Sequence, residues 1–160
     1  MAEDLDALYQ LTYEEAKQAL TSQASALDAL RSRAGTLLQV TSLATAFLGG
    51  LIFKDGLPDG WAVLVGIFAF LGVVLLSLSL LVPLPGWRFT ASPKAIVRDY
   101  IETDSPANLM ETHRELALRF GKWLDRNQKR LNALYVIFAG ASALLAVQVG
   151  AWLLALTKGN

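Results

Sequence analysis

The sequence predicts an all-α integral membrane protein, a transmembrane helical hairpin plus a third transmembrane helix with long cytosolic helical extensions. Three observations predict it. The runs Ala34 to Phe53 and Trp61 to Val82 contain no Asp, Glu, Lys, Arg or His, and each holds about 20 residues, the length that crosses a ~30 Å hydrocarbon core as a helix. Only Lys54-Asp-Gly-Leu-Pro-Asp-Gly60 separates them, a polar stretch that can reverse the chain but not continue a helix. A third apolar run, Leu131 to Thr157, has Asn132 and Gln148 as its strongly polar members. The competing reading of the first two runs, a buried hairpin in a soluble core, would normally carry a polar stripe.

The bulk numbers agree with this class. Of 160 residues 54% are hydrophobic and 18% charged, with the charges confined to segments outside the apolar runs. Net charge is zero, so the balance points to no nucleic acid polymer as a partner. Without cysteine there is no disulfide framework, thiolate metal site or cysteine nucleophile. The acidic start Met1-Ala-Glu-Asp-Leu-Asp6 lacks the basic and apolar regions of a signal peptide, so no cleavage is expected.

Four segments follow in chain order. Residues 1–33 are expected to form a cytosolic amphipathic helix, started by a capping box of Thr12 and Glu15. Tyr13, Ala16, Leu20, Leu27, Leu30, Ala34 and Leu37 recur at spacings that keep one seam on one side, with Gln23 as its polar interruption. One continuous helix from Thr12 to Phe53 is the economical reading, roughly 60 Å at 1.5 Å per residue. An interfacial helix is the alternative, although Glu14, Glu15, Lys17 and Asp28 give it no basic face.

Residues 34–82 are the hairpin, with spans at about 34–53 and 61–82. Gln39, Ser42, Thr45, Ala46 and Gly49 share one helical face of the first span. Such a face serves either close helix packing or, in an oligomer, a polar wall lining water. The second span is uniformly apolar and is expected to be the more lipid-facing one. Residues 83–130 leave the bilayer as a cytosolic helical segment: Pro83 to Gly86 ends the span, and Trp87-Arg88-Phe89 reads as an interfacial anchor. Ser92-Pro93 and Ser105-Pro106 each read as a helix start. Beyond them Leu109, His113, Leu116, Phe120, Trp123, Asn127, Leu131 and Leu134 trace a second seam running into the third span, residues 131–157, so that one helix extends from Pro106 to about Leu156.

Cations flank the spans on one side: Arg31 and Arg33, then Arg88, Lys94 and Arg98, then Arg126, Lys129 and Arg130. The positive-inside rule makes the N-terminus and residues 83–130 cytoplasmic and the C-terminus external, with Trp61 and Trp152 at the outer interface and Trp87 at the inner one.

No residue set defines an active site, and no enzyme or cofactor is expected. His113, the one histidine, sits beside Glu111, Arg114 and Glu115, which do not make a convergent metal set. His113 and Asn127 read as polar residues on the helix seam. A buried Asn127 would select one helix register, and a half-exposed one would not. Residues 83–130 carry nine Lys or Arg against six Asp or Glu. Arg88, Arg98, Arg114, Arg119, Lys122 and Arg126 either set topology and touch anionic lipid, or hold an anionic ligand such as a nucleotide phosphate, for which Arg offers bidentate geometry.

Leu30-Arg-Ser-Arg-Ala-Gly-Thr-Leu-Leu38, Ala46-Phe-Leu-Gly-Gly-Leu51, the hairpin and Asn127-Gln-Lys-Arg-Leu131 together make the chain resemble the small membrane effectors of bacterial nucleotide-signalled antiphage systems, including the SLATT domain and the Pycsar transmembrane effectors. It departs from them in having three spans where the SLATT core is described with two, and in showing no separate nucleotide-sensing domain. The resemblance implies a bacterial inner-membrane protein that forms homo-oligomers and permeabilises the bilayer when a cyclic nucleotide or a separate sensor protein signals. The alternative is a non-enzymatic scaffold that recruits a soluble partner through its cytosolic helices.

Overall fold

A computed structural model describes residues 2–55, 60–83, 85–102 and 108–158. The described residues hold helices and turns and no strand. The first helix, α1, covers Ala2–Ala44 and continues as a π-helical turn over Thr45–Gly49, the short α2 over Gly50–Ile52 and a 3-10 turn over Phe53–Asp55. Helix α3 covers Trp61–Leu81, α4 covers Pro93–Ile96 with a π-helical turn over Val97–Ile101, and α5 covers Leu109–Lys158. Three of these, α1, α3 and α5, contain stretches long and apolar enough to cross a membrane.

Period 3.5 rather than 3.6 explains why α1 and α5 are so long. Buried residues recur every seven positions on α1, at Leu20, Leu27, Ala34 and Thr41, and on α5, at Phe120, Asn127, Leu134, Ala141 and Gln148. Between them Gln23 and Leu30 on α1, and Leu116, Leu131 and Trp152 on α5, complete three-and-four spacings. That is the pattern of helices that coil around a shared seam. No proline interrupts either helix among the described residues.

The starts of α1 and α5 differ from the sequence expectation, whereas α4 starts at Pro93 after Ser92 as the sequence predicts. Helix α1 begins at Ala2, ten residues before Thr12, so the capping box is not formed. Thr12 sits mid-helix and its hydroxyl donates to the Leu8 carbonyl at 2.8 Å. Nothing between Ala2 and Thr12 breaks a helix, and the Thr12 hydroxyl is satisfied by the preceding turn instead. Helix α5 starts at Leu109, where Asn108 Oδ1 accepts the Glu111 amide at 2.8 Å. Asn108 is therefore the cap, a role its short side-chain carbonyl fits well; Ser105-Pro106 lies outside the described residues. At Ser92 the backbone carbonyl, not the hydroxyl, accepts the Ala95 and Ile96 amides, and Pro93 occupies the first turn.

Two compact units result. The first comprises residues 1–28 and 84–132, the second 29–83 and 133–160, and α1 and α5 each contribute residues to both. In the first unit α1 and α5 run side by side and parallel: Tyr13 stacks on His113 and Phe120 with ring centroids at 5.4 and 5.6 Å, while Gln23 bonds Leu124 and Gln128. The segment after α3 is held to α5 by several contacts. Asn127 Nδ2 donates to the Arg88 carbonyl at 2.9 Å, Arg130 donates to the Pro85 carbonyl at 3.3 Å, and the Arg130 guanidinium lies over the Trp87 ring at 6.0 Å. Gly86, with φ of +96°, turns the chain there, and a Cβ would lie 2.9 Å from Arg130 Nη1. The positive φ is what requires glycine, since the guanidinium ends a flexible side chain that could turn away.

In the second unit α3 packs through its small residues. Ala62, Gly66, Ala69, Val73, Ser77 and Leu80 are buried, at spacings of three and four. Of the three apolar segments, α3 is the most buried, which corrects the expectation that it would be the more lipid-facing. Apolar residues surround the helix on all sides, so residue size is the main mark of the packed face: small residues, the buried Ser77 among them, allow close helix approach. Trp152 is also corrected. It is 1% exposed, with its indole against Gly66 and its ring edge-on to Phe53 at 6.1 Å. It is a packing residue, whereas Trp61 is exposed.

Candidate functional site

The polar residues of the apolar unit do not form one face. Gln39 and Ser42 are exposed and make no hydrogen bond among the described residues, whereas Thr45 is half-buried. The Thr45 hydroxyl donates to the Thr41 carbonyl at 2.9 Å and accepts from Gln148 Nε2 at 2.6 Å. The π-helical turn that begins at Thr45 adds one residue to the helical repeat, which rotates the following side chains relative to the α-helical phase. That turn begins only at Thr45, and the split before it follows from ordinary helix phase: Thr45 lies one turn after the buried Thr41, whereas Gln39 and Ser42 lie off that row and are exposed. Gln148, fully buried on α5, is the polar partner that the sequence showed as an isolated interruption of the third apolar run.

Asn127 is 1% exposed. Its amide reaches across to the Arg88 backbone, so it ties the 85–89 segment to α5 rather than pairing with α1. Gln23 is the amide that joins α1 to α5 in that unit, donating through Nε2 to the Leu124 carbonyl at 3.1 Å and to Gln128 Oε1 at 3.0 Å. Gln128 in turn donates to Asn132 Oδ1 at 2.9 Å. His113 is half-buried, stacked on Tyr13. Among the described residues no group of three or more His, Cys, Asp or Glu converges as a metal site.

The six basic residues singled out from the sequence divide in two. Arg88 and Arg119 line one cavity, and Arg119 and Lys122 line a neighbouring one with Tyr100, Glu115 and Leu118. Arg98, Arg114 and Arg126 line neither and are exposed. Arg98 bonds the adjacent Asp99 at 2.9 Å, and Arg119 lies 3.7 Å from the other oxygen of the same carboxylate. Arg119 also covers the Tyr100 ring at 5.7 Å and Arg88 the Trp123 ring at 5.8 Å. Burial pushes the Tyr100 phenol above its ordinary value; Arg119 pulls the other way, and the nearby Glu115 and Asp99 charges push it up again. Thr90, Ser92 and Trp123 also line the Arg88 cavity; the sequence marked Ser92 as a helix start and Trp123 as a seam residue, and did not mark Thr90. They converge with Arg119 only because the 85–89 strap holds its neighbours against α5.

No family model, curated protein or solved structure matches this chain.

Proposed function

We propose that the chain is a multi-pass protein of the bacterial inner membrane, with its N-terminus and residues 83–130 cytoplasmic, that oligomerises and permeabilises the bilayer on a nucleotide or partner signal, in antiphage defence. Insertion is supported by the second unit, which exposes Leu43, Phe47, Leu64, Phe68, Leu75 and Val136. An apolar surface of this kind is stable against lipid and not against water. The observation that carries oligomerisation is the exposure of Gln39 and Ser42 in a stretch without charged residues, with no hydrogen-bond partner among the described residues. Polar groups facing hydrocarbon are costly. Contact with another copy, or with water between copies, relieves that cost. Sharing of α1 and α5 between a polar unit and an apolar one gives a signal received by the first a covalent route into the second, provided the ligand binds two arrangements with different affinity.

The test is dye leakage from liposomes carrying the purified protein, with and without a panel of cyclic mono- and oligonucleotides. Nucleotide-dependent leakage is expected, and Gln39→Leu with Ser42→Leu should abolish it while assembly persists; Thr45 is left intact because it bonds Gln148. Leakage unchanged in the double variant would overturn the pore assignment. Since the chain has no cysteine, single cysteines at Ser22 and Thr157 report topology by membrane-impermeant labelling, with opposite sides expected.

A second reading, a membrane scaffold that recruits a soluble partner, is favoured by one observation. Leu5, Leu8 and Leu11 are exposed in the first turns of α1. It predicts a stoichiometric co-purifying protein and no leakage from folded, inserted material.

A further inference from the structure

The cavity between the 88–95 segment and α5 has a volume of about 280 Å³. Arg88, Thr90, Ser92, Ala95, Arg119 and Trp123 are among its lining residues, and no carboxylate is. Two guanidiniums from positions 31 apart in sequence thus face one space with two hydroxyls. Neither the Thr90 nor the Ser92 side chain is used within the fold: the Ser92 hydroxyl caps nothing although its residue precedes α4. Among the described residues Arg88 forms no ion pair, and its guanidinium lies over the Trp123 ring. Arg119 is partly neutralised by Asp99, at 3.7 Å and therefore beyond a tight ion pair.

We propose that this cavity binds a phosphate group, held by the Arg88 and Arg119 guanidiniums with Thr90 and Ser92 donating to the remaining oxygens. Guanidinium pairs match the planar edge of phosphate oxygens, and hydroxyls fill the positions that the planar groups leave. Size narrows the ligand. Clefts for small molecules run to roughly 300–1,000 Å³, so this one, at the low end, suits a phosphate carrying a small substituent rather than a large ligand.

Two sources supply that chemistry: an anionic phospholipid head group, or a small soluble phosphate ester. The lipid source rests on the membrane insertion proposed above, and the cavity chemistry does not. Arg88 follows Leu81, the last residue of α3, by seven residues, a reach of at most about 25 Å when fully extended. Trp87 and Phe89 flank Arg88 with their rings stacked at 5.5 Å, an aromatic pair of the kind that seats a chain at a head-group layer. Those two facts favour the lipid.

The experiment uses the full chain purified in detergent, as wild type, Arg88→Gln, Arg119→Gln and Lys129→Gln. Lys129 is exposed on α5 and outside the cavity, so its variant controls for loss of one charge. Native mass spectrometry reads retention of phosphatidylglycerol against phosphatidylcholine, and calorimetry reads binding of glycerol 3-phosphate. We expect preferential phosphatidylglycerol retention that falls about tenfold in each arginine variant and not in Lys129→Gln. Glycerol 3-phosphate binding with the same arginine dependence, and no lipid preference, would keep the site and assign it to a soluble ester. Equal ligand retention by all four proteins, or an equal fall in Lys129→Gln, overturns the site. If Arg119→Gln fails to fold for want of its Asp99 and Tyr100 contacts, Arg88→Gln decides alone. Alkaline carbonate extraction, run in parallel, reads insertion separately: release of the chain from membranes with arginine-dependent phosphate binding intact would overturn the membrane reading and leave this one standing.

Discussion

Gly66→Ala tests the packing of the apolar unit directly. A Cβ at Gly66 would lie 3.0, 3.1 and 3.2 Å from Cε2, Cδ2 and Cε3 of Trp152. Carbon atoms are at their best separation near 3.5–4.0 Å, so the indole must retreat by about 0.5 Å. Trp152 is 1% exposed and its ring is rigid, which leaves helix separation as the main relief. Inserting one methyl into such a contact costs about 1–3 kcal/mol. Alanine also gains roughly 0.5–1 kcal/mol over glycine inside a helix, and that gain must be removed before the contact can be read. Gly150→Ala removes it, because a Cβ there has nothing within 4 Å. The difference between the two variants should therefore be about 1–3 kcal/mol, with Gly66→Ala the less stable. Gly72→Ala should fall between them: its Cβ would approach Leu144 Cδ1 at 2.8 Å, but that atom ends a flexible side chain that can turn away. Equilibrium unfolding in mixed dodecyl maltoside and SDS micelles, followed by tryptophan fluorescence, gives the three values. Trp152→Phe should restore part of the loss when combined with Gly66→Ala, a coupling expected only for residues in contact. If Gly66→Ala unfolds at the same SDS fraction as Gly150→Ala, the close approach of α3 to Trp152 is wrong.

Four further substitutions read the buried polar groups. Thr45→Val should destabilise more than Gln148→Leu, because the first leaves a fully buried amide with neither end bonded, while the second leaves Thr45 still bonded to the Thr41 carbonyl; interhelical bonds of this type are worth about 0.6–2 kcal/mol, measurable in the same micelle titration. Asn127→Ala should lower stability by about 1 kcal/mol through loss of its bond to the Arg88 carbonyl, and should raise amide exchange in residues 85–89 without altering exchange at Gln23. Tyr100→Phe should flatten the alkaline limb of stability. Above about pH 10 the unfolded chain releases the phenolic proton and the folded chain, with its raised pKa, keeps it, so wild-type stability falls as pH rises while the variant lacks that component; denaturation midpoints compared from pH 9 to 11 check the sign.

Long helices and their seams were legible because apolar residues at spacings of three and four leave a periodic trace on either side of each gap, as at Leu20, Leu27 and Ala34 or Phe120, Leu131 and Leu134. Helix α3 left no such trace. Apart from Ser77 and Ser79 its residues are apolar on every side, and its buried face is marked chiefly by the small residues Ala62, Gly66, Ala69 and Ser77. Trp152 was misread for a related reason: tryptophan near the end of an apolar run fits an interfacial belt and a packed core equally, and the choice depends on whether a glycine stands opposite it. The Thr12 cap failed because a capping box specifies a start only where the preceding residues do not propagate the helix, and residues 2–11 do. As for the basic cluster, charge count identified the segment but not the members that converge. Arg88 and Arg119 meet because Asn127 and Arg130 pin residues 85–88 to α5, a tertiary fact with no local signature.

The amides on the seams account for a cost that an all-apolar seam would avoid. Gln148 and Asn127 both occupy the seven-residue buried series of α5, and Gln23 lies on the seam of α1. A polar residue at such a position gives up stability and selects a register, because its partner is available in one alignment only. In the first unit, sliding α1 along α5 by one turn would carry Gln23 about 5.4 Å from the Leu124 carbonyl and Gln128. In the second, the same slide would separate Gln148 from Thr45. A signal that acts through these helices therefore meets resistance to sliding in either unit, and less to rotation or tilt about the seam. Replacing Gln23 and Gln148 by leucine together should strengthen the apolar seam while releasing that constraint. Spin labels on Asp28 and Lys129 would then give one narrow distance distribution in the wild type and a broadened or shifted one in the double variant. An unchanged distribution would mean that the apolar layers alone fix the register and that the amides serve another purpose.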